Sequence, residues 1–305
     1  MLQKHDPRNA DILINVNGVL SRRDEAHVSV FDSTVQNGDA VWEGLRVYEG
    51  RIFRLREHLT RLRRSAQALA YQSTPSDDEI IVELKRTLDA NGMWDGVHIR
   101  LTLSRGVKYT SGLDPRLNTF GHTLIIVAEH KPPVYDKSGV TLKTSAHRRP
   151  PSDVLDQTIH SCNQLTSILA KLEANAAGAD DAMMLDTRGF IAETNATHLF
   201  FVLDGEVHTP TCAACPEGIT RSAVLELCDE HGIGFHVRDM TLTEAYRADE
   251  VFCTGTMGEL APVTVIDGRS IGDGGMGPVT ARLSELFKGL TETTGERVVD
   301  APAPS

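Results

Sequence analysis

The sequence has no long uninterrupted apolar stretch, so no transmembrane helix is expected. It has no excess of positive charge. Lysine and arginine number 31 against 42 aspartates and glutamates, a formal net charge of −11. That balance excludes nucleic acid and acidic membrane as expected partners, since both call for a basic patch. The one local basic run, RLRR from Arg61 to Arg64, falls on a helical pattern and reads first as a solvated face. The opening residues, MLQKHDPRNAD, lack the apolar core of a secretory signal, and a cytoplasmic location is the expectation. Cysteine is sparse: Cys162, Cys212, Cys215, Cys228 and Cys253 make an odd five, which reads as reduced thiols and not as a disulfide frame. Cys212-Ala-Ala-Cys215 is a lone CxxC. No further ligand stands at zinc spacing, so no metal site is expected.

What is present is ordinary for a soluble globular chain: 305 residues, 40% hydrophobic and 24% charged. The length suits two domains or one large one. DILINVNGVL (11–20) suggests a strand turning at Asn17-Gly18. Leu45, Val47 and Ile52 flank a Glu49-Gly50 turn, a hairpin signal. Leu59, Leu62, Ala66 and Leu69 have helical spacing. A second helix, about Ser76 to Ala90, stops at Asn91-Gly92. Strands follow at about Val97–Ser104 and Thr123–Ala128, giving an α+β domain over 1–133. A linker is expected over 134–139 and a second domain over 140–290. Residues 291–305 have no periodic pattern and read as a mobile tail.

Within the second domain, Leu165, Ile168, Leu169, Leu172 and Ala176 predict one buried helical stripe, with His160 just ahead of it. Downstream, DDAMMLDTRGFIAETNATHLFFV reads as strand, turn at Thr187-Arg188-Gly189, an acidic Glu193 and a second apolar strand. In the first domain, QNGDAVWEGLRVYEGRIFRLREHLTRLRRSA joins Gly-Asp, aromatic-Glu, a hairpin and His-x-x-Arg-Leu. EGITRSAVLEL, DEVFCTGTMGEL and APVTVIDG follow in order. Together these motifs resemble the fold-type IV pyridoxal-phosphate (PLP) enzymes, and the resemblance runs from about Ile14 to Leu290. That family includes branched-chain and D-amino-acid aminotransferases and aminodeoxychorismate lyase. It implies a two-domain α+β fold like that of D-amino-acid aminotransferase.

The family's Schiff-base lysine stands just before the helix, and here the matching position is His160. Anchoring on Asn163 and LAKLEA gives that match. The spacing of other branches would place Ile159 or Thr158 there instead. No lysine occurs anywhere from Thr144 to Ala170. Lys171 lies too far along the helix, and Lys143 is an outside candidate on a preceding strand.

Gly218-Ile219-Thr220 opens an apolar-periodic helix whose first N–H groups can bind an anion. Gly255-Thr256-Met257 is a second small-residue turn able to supply N–H groups. The resemblance makes Arg61 the phosphate arginine and Glu193 the carboxylate that keeps the pyridine nitrogen protonated. Helix capping is the plain alternative for Thr220, and turn chemistry for Thr256. His198 stands where the family usually has asparagine. By position in the matching motifs, Trp42, Tyr48, Arg105 and Met257 line the substrate pocket, with plain packing as the alternative. The arginines of His147-Arg148-Arg149 could meet a substrate carboxylate or a partner subunit.

An imidazole cannot form a lysine-type imine, but it can carry a proton near neutral pH. The expectation is a branched-chain-aminotransferase-like enzyme acting on an amino or keto acid. It would hold PLP or its amine form PMP noncovalently and use His160 as acid or base. The family implies a homodimer. Two other readings stay open: a cofactor-independent lyase, isomerase or hydrolase with His160 as base, and a noncatalytic ligand-binding relative.

Overall fold

A computed structural model describes Gln3 and residues 5–135 and 137–301. The chain forms two compact units. One comprises residues 5–132 with Ile159–Asn163 and residues 291–301. The other comprises Gln3, Pro133–Thr158 and Gln164–Leu290.

The first unit is built on strands β1 (Leu13–Val16), β2 (Val19–Arg22), β3 (Ala40–Tyr48), β4 (Arg51–Ile52), β5 (Val97–Ser104) and β6 (Thr123–His130). Its helices are α1 (Ser33–Asn37), α2 (Leu55–Ala68) and α3 (Asp77–Ala90). The short strand Glu296–Arg297 completes an antiparallel sheet in the order Glu296–Arg297, β4, β3, β5, β6, β1, β2. Both expected turns carry the backbone they need: Asn17-Gly18 and Glu49-Gly50 have positive φ at both residues, the geometry of tight hairpins. Helix α3 begins on a capping box between Ser76 and Glu79. It ends at Asn91, whose side chain bonds both the N–H and the carbonyl of Leu13. The apolar stripe of α2 (Leu55, Leu59, Leu62, Ala66) and that of α3 (Ile80, Leu84, Leu88) close over Leu45, Val47, Ile99 and Leu101 of the sheet.

Strand β4 pairs only Val47 and Tyr48 of β3. The N-terminal half of that edge is taken by residues 159–163. Trp42 N–H donates to the His160 carbonyl at 3.0 Å, Cys162 N–H donates to the Ala40 carbonyl at 2.8 Å, and Val41 bridges Ser161. His160 therefore belongs to the first unit, although its neighbours in sequence belong to the second.

The second unit contains β7 (Val140–Arg148), α4 (Ser152–Leu155), α5 (Leu165–Ala176), β8 (Asp181–Leu185), β9 (Ile191–Thr194), β10 (His198–Leu203), β11 (Glu206–Thr209), α6 (Ile219–Glu230), β12 (Phe235–Val237), α7 (Leu242–Tyr246), β13 (Glu250–Gly255), β14 (Glu259–Ile266), β15 (Arg269–Ser270) and α8 (Pro278–Thr293). The sheet order is β12, β11, β10, β13, β14, β7, β8, β9, with β15 on β14. It is parallel at β11–β12, β14–β7 and β7–β8. All five residues of β8 are buried, as suits a strand covered on both faces.

Two expectations are corrected, those for α5 and for the tail. The stripe of α5 is not buried: Leu165, Ile168 and Leu172 are 66%, 54% and 57% exposed, and the buried face is Ser167, Ala170 and Ala174. The helix approaches the sheet through small residues, Ala170 and Ala174 against Ala182 and Met184. Leucine periodicity points to the opposite side. The segment after 290 is held as far as it is described. Glu296–Arg297 pairs with β4, Val298 and Val299 are buried, and Val298 N–H donates to the Gly50 carbonyl at 2.9 Å. The last four positions of the expected tail lie outside the described residues. The linker is anchored at its start: Val134 N–H donates to the Met257 carbonyl at 2.8 Å, and the buried Tyr135 hydroxyl bonds Asp181.

Candidate functional site: two buried carboxylates

The first unit holds a polar cluster around Glu43. Seven of the nine residues of the strand Ala40–Tyr48 are buried, and Glu43 is fully enclosed. A carboxylate there needs counter-charge and hydrogen bonds. Helix α2 supplies both from one face, since His58 and Arg61 are three residues apart. Arg61 Nε donates to Glu43 Oε1 at 2.8 Å and Nη2 to Oε2 at 2.7 Å, a bidentate fork. His58 Nδ1 lies 2.6 Å from Oε2. His160 Nδ1 lies 3.4 Å from Oε1, a contact looser than a formed hydrogen bond. Burial pushes the Glu43 carboxyl up, but Arg61 and His160 overrule it and hold it well below the usual carboxylate range.

His160 is almost buried. Its ring stacks on Trp42, centroids 4.3 Å apart, and its backbone N–H donates to Ser65 Oγ at 3.1 Å. Trp42 Nε1 donates to the Ser161 carbonyl, and the Arg100 guanidinium lies 3.5 Å from the Trp42 ring centroid. Burial, then the neighbouring Arg61, lowers the His160 pKa, against the opposing pull of Glu43. The imidazole is therefore neutral near pH 7. With an ionised carboxylate facing Nδ1, the favoured tautomer carries its proton on Nδ1 and leaves Nε2 as the basic atom.

The second unit holds a cluster around Glu193 on β9. The buried Glu193 pairs with Arg149 Nη2 at 2.9 Å, and Arg149 also donates to the Thr194 carbonyl at 3.0 Å. Nδ1 of His198 lies 4.0 Å from Glu193 and 3.9 Å from Sγ of Cys215. Gly218 caps α6 with no side-chain cap bond, so the backbone N–H groups of the first turn are presented to an anion. A Cβ at Gly218 would stand 2.3 Å from the His198 ring, so this position needs glycine. Thr220 is buried in the same turn. Thr254, just before Gly255-Thr256, has a buried hydroxyl with no hydrogen-bond partner among the described residues. An arginine-held carboxylate, an uncapped helix start and an orphan hydroxyl are a donor set that fits a phosphorylated, ring-nitrogen cofactor.

The remaining expected residues separate. Trp42 packs on His160, and Tyr48 stands six residues further along β3, about 20 Å at strand rise. Arg105 clamps a loop: Nε donates to Asp39 at 2.5 Å and Nη2 to the Leu69 carbonyl at 2.7 Å, and its guanidinium covers Tyr71. Met257 gives its carbonyl to Val134. Ile219 is half-buried in the first turn of α6. Neither outside lysine is spare. Lys143 pairs with Asp267 at 2.9 Å and Lys171 with Asp181 at 2.9 Å. Glu43 and His58 lie inside a matching motif, yet sequence reasoning gives them no role. A glutamate inside an apolar strand, followed by His and Arg at helical spacing, is the signal that could have found them.

The sequence model of the family described as amino-transferase class IV matches residues 40–266. The chain is 51% identical over 95% of its length to branched-chain-amino-acid aminotransferase-like protein 2 of Arabidopsis thaliana. It spans about half of that relative, 52%. It is 40% identical to the putative branched-chain-amino-acid aminotransferase of Methanocaldococcus jannaschii, over 94% of this chain and 99% of that one. Among solved structures, the Escherichia coli branched-chain amino acid aminotransferase superposes with a TM-score of 0.88 at 30% identity, covering 93% of this chain and 96% of that one. The branched-chain amino acid aminotransferase of T.th., complexed with N-(5'-phosphopyridoxyl)-L-glutamate, gives 0.86 at 35% identity, covering 92% and 94%.

Proposed function

Because this chain belongs to the class IV aminotransferase family, we propose that it binds PLP or PMP without a covalent lysine link and acts on an amino or keto acid. The observation that carries the reading is at position 160. A buried neutral histidine stands there against the Glu43–Arg61 pair, and Lys143 and Lys171 are both ion-paired elsewhere. When bound, the cofactor supplies an electron sink and an amino-group carrier. Glu193, paired with Arg149, would receive the ring N–H. The first-turn N–H groups after Gly218, with Ile219 and Thr220, and the Gly255-Thr256 turn hold the phosphate. Arg61 is assigned to the phosphate as well, with Glu43 fixing its fork. His160 Nε2 moves a proton at the substrate's α-carbon, and Glu43 behind Nδ1 stabilises the imidazolium that results.

The reading includes a homodimer and a cytoplasmic location. Among the described residues, no helix is long and apolar enough to cross a membrane. Sedimentation of the purified protein tests the dimer.

The cofactor assignment is tested by absorbance after PLP addition and gel filtration, with and without borohydride. The expected result is a retained chromophore that borohydride does not fix to the chain. A fixed adduct mapped to any lysine overturns the noncovalent assignment.

The geometry of the His160–Glu43 pair favours one second reading: a cofactor-independent proton transfer with His160 as base. A protein that retains no chromophore, yet loses a measured turnover in His160→Ala, selects it.

A further inference from the structure

The lone CxxC gains in the fold the ligands it lacks in the sequence. Glu193 and His198 are placed by a tight turn: Thr194 N–H donates to the Thr197 carbonyl at 2.8 Å and Thr197 N–H to Thr194 Oγ1 at 2.7 Å. Cys215 arrives from a different direction, at the end of the short 3-10 turn Cys212–Ala214 that precedes α6. It is 1% exposed. One donor atom from each of Glu193, His198 and Cys215 lies within 4.8 Å of the others. Cys212, at the other end of the CxxC, hydrogen-bonds to Cys215.

We propose that Cys212, Cys215, His198 and Glu193 form a binding site for a borderline-soft divalent cation of the zinc class. The donor set is two thiolates, one imidazole and one carboxylate, the mixture that tetrahedral zinc takes and that magnesium and calcium do not. The geometry is near what is needed. Donors around a tetrahedral zinc stand about 3.5 Å apart, from bond lengths of about 2.0–2.3 Å. Here the sulfur–nitrogen and nitrogen–oxygen separations are 3.9 and 4.0 Å. The three donors lie within 4.8 Å of one another, so a contraction of about an ångström along the longest separation closes them around an ion of that size. The turn that aims Glu193 and His198 is hydrogen-bonded, and Cys212 and Cys215 flank the short 3-10 turn Cys212–Ala214. Arg149, already on Glu193, orients that carboxylate, as outer partners commonly do for metal ligands. Binding would release the thiol protons, so affinity rises with pH.

Glu193 also serves the cofactor assignment above, so the test is run without cofactor and its outcome stands whether or not PLP binds. The fully reduced protein is titrated with Co²⁺ and read by absorbance. The expected result is a saturable one-to-one thiolate-to-cobalt charge-transfer band with intense tetrahedral d–d bands, removed by equimolar Zn²⁺. Cys215→Ser and His198→Asn should lose the bands while keeping the wild-type far-ultraviolet circular dichroism, and Cys228→Ala, outside the cluster, should keep them. Absence of a thiolate band in the wild-type protein overturns the proposal. So does a band that survives in Cys215→Ser.

Discussion

His160 Nδ1 faces Glu43 Oε1 across 3.4 Å, and the same carboxylate takes both arms of the Arg61 fork. His160, proposed above to stand at the family's lysine position, is thus tied to strand β3 through a carboxylate that is fully buried. Removing either partner changes the other.

His160→Lys should gain what the wild-type chain lacks. After incubation with PLP and borohydride, the variant is expected to carry a covalent adduct mapped to position 160, and the wild type none. Peptide mass spectrometry reads the difference. A variant that remains unlabelled while retaining the chromophore would show that position 160 does not correspond to the lysine.

Glu43→Gln should destabilise the chain by about 3–5 kcal/mol at pH 7, because it leaves Arg61 charged and enclosed without its counter-ion. The effect depends on pH. The Glu43 carboxyl is depressed in the fold. Its stabilising contribution is therefore complete above the ordinary carboxylate range and is lost as pH falls through the folded value. Urea midpoints of wild type and variant should converge in acid. A gap that stays constant down to pH 3 would contradict this.

His98, on β5, is held neutral by burial, and then by Lys131, Arg46 and Arg100, with its pKa lowered to about 3. The unfolded chain takes up a proton near pH 6.5 that the folded chain refuses. The contribution is full above 6.5 and falls as pH drops, by about 1.4 kcal/mol per pH unit. His98→Gln should flatten the stability profile between pH 6.5 and 4.5 by that slope. Chemical denaturation across the range measures it.

Gly218→Ala sets a Cβ 2.3 Å from the His198 ring. The strain should cost about 1–3 kcal/mol and displace the first turn of α6, weakening PMP binding more than it lowers the melting temperature. Calorimetric titration with PMP, beside thermal unfolding, separates the two effects.

Much of the fold was legible because local chemistry agreed with it. Asn17-Gly18 and Glu49-Gly50 turn where their glycines permit, Ser76 and Asn91 bound α3, and β5 runs over the expected Val97–Ser104. The α5 stripe misled because periodicity finds an apolar face without saying what covers it, and alanine marks close packing more faintly than leucine does. The tail was misread because two residues of strand pairing have no period. Arg61, Glu193 and Gly218 all fell at polar or helix-start positions, but their partners did not show. Arg149 and Cys215 reach Glu193 and His198 only through sheet order and a loop. Nothing in the spacing of Glu43 and His160, 117 positions apart, hints at their contact.

The stitching of the first unit has a consequence for the order in which the chain is made. Residues 5–132 leave the ribosome early, but the open edge of β3 waits for residues 159–163, and β4 waits for Glu296–Arg297. Gly50 closes only under Val298 and Val299. The unit that holds residues 5–132 is therefore finished only after the other, and its sheet keeps an unsatisfied margin until residues 296–299 have emerged.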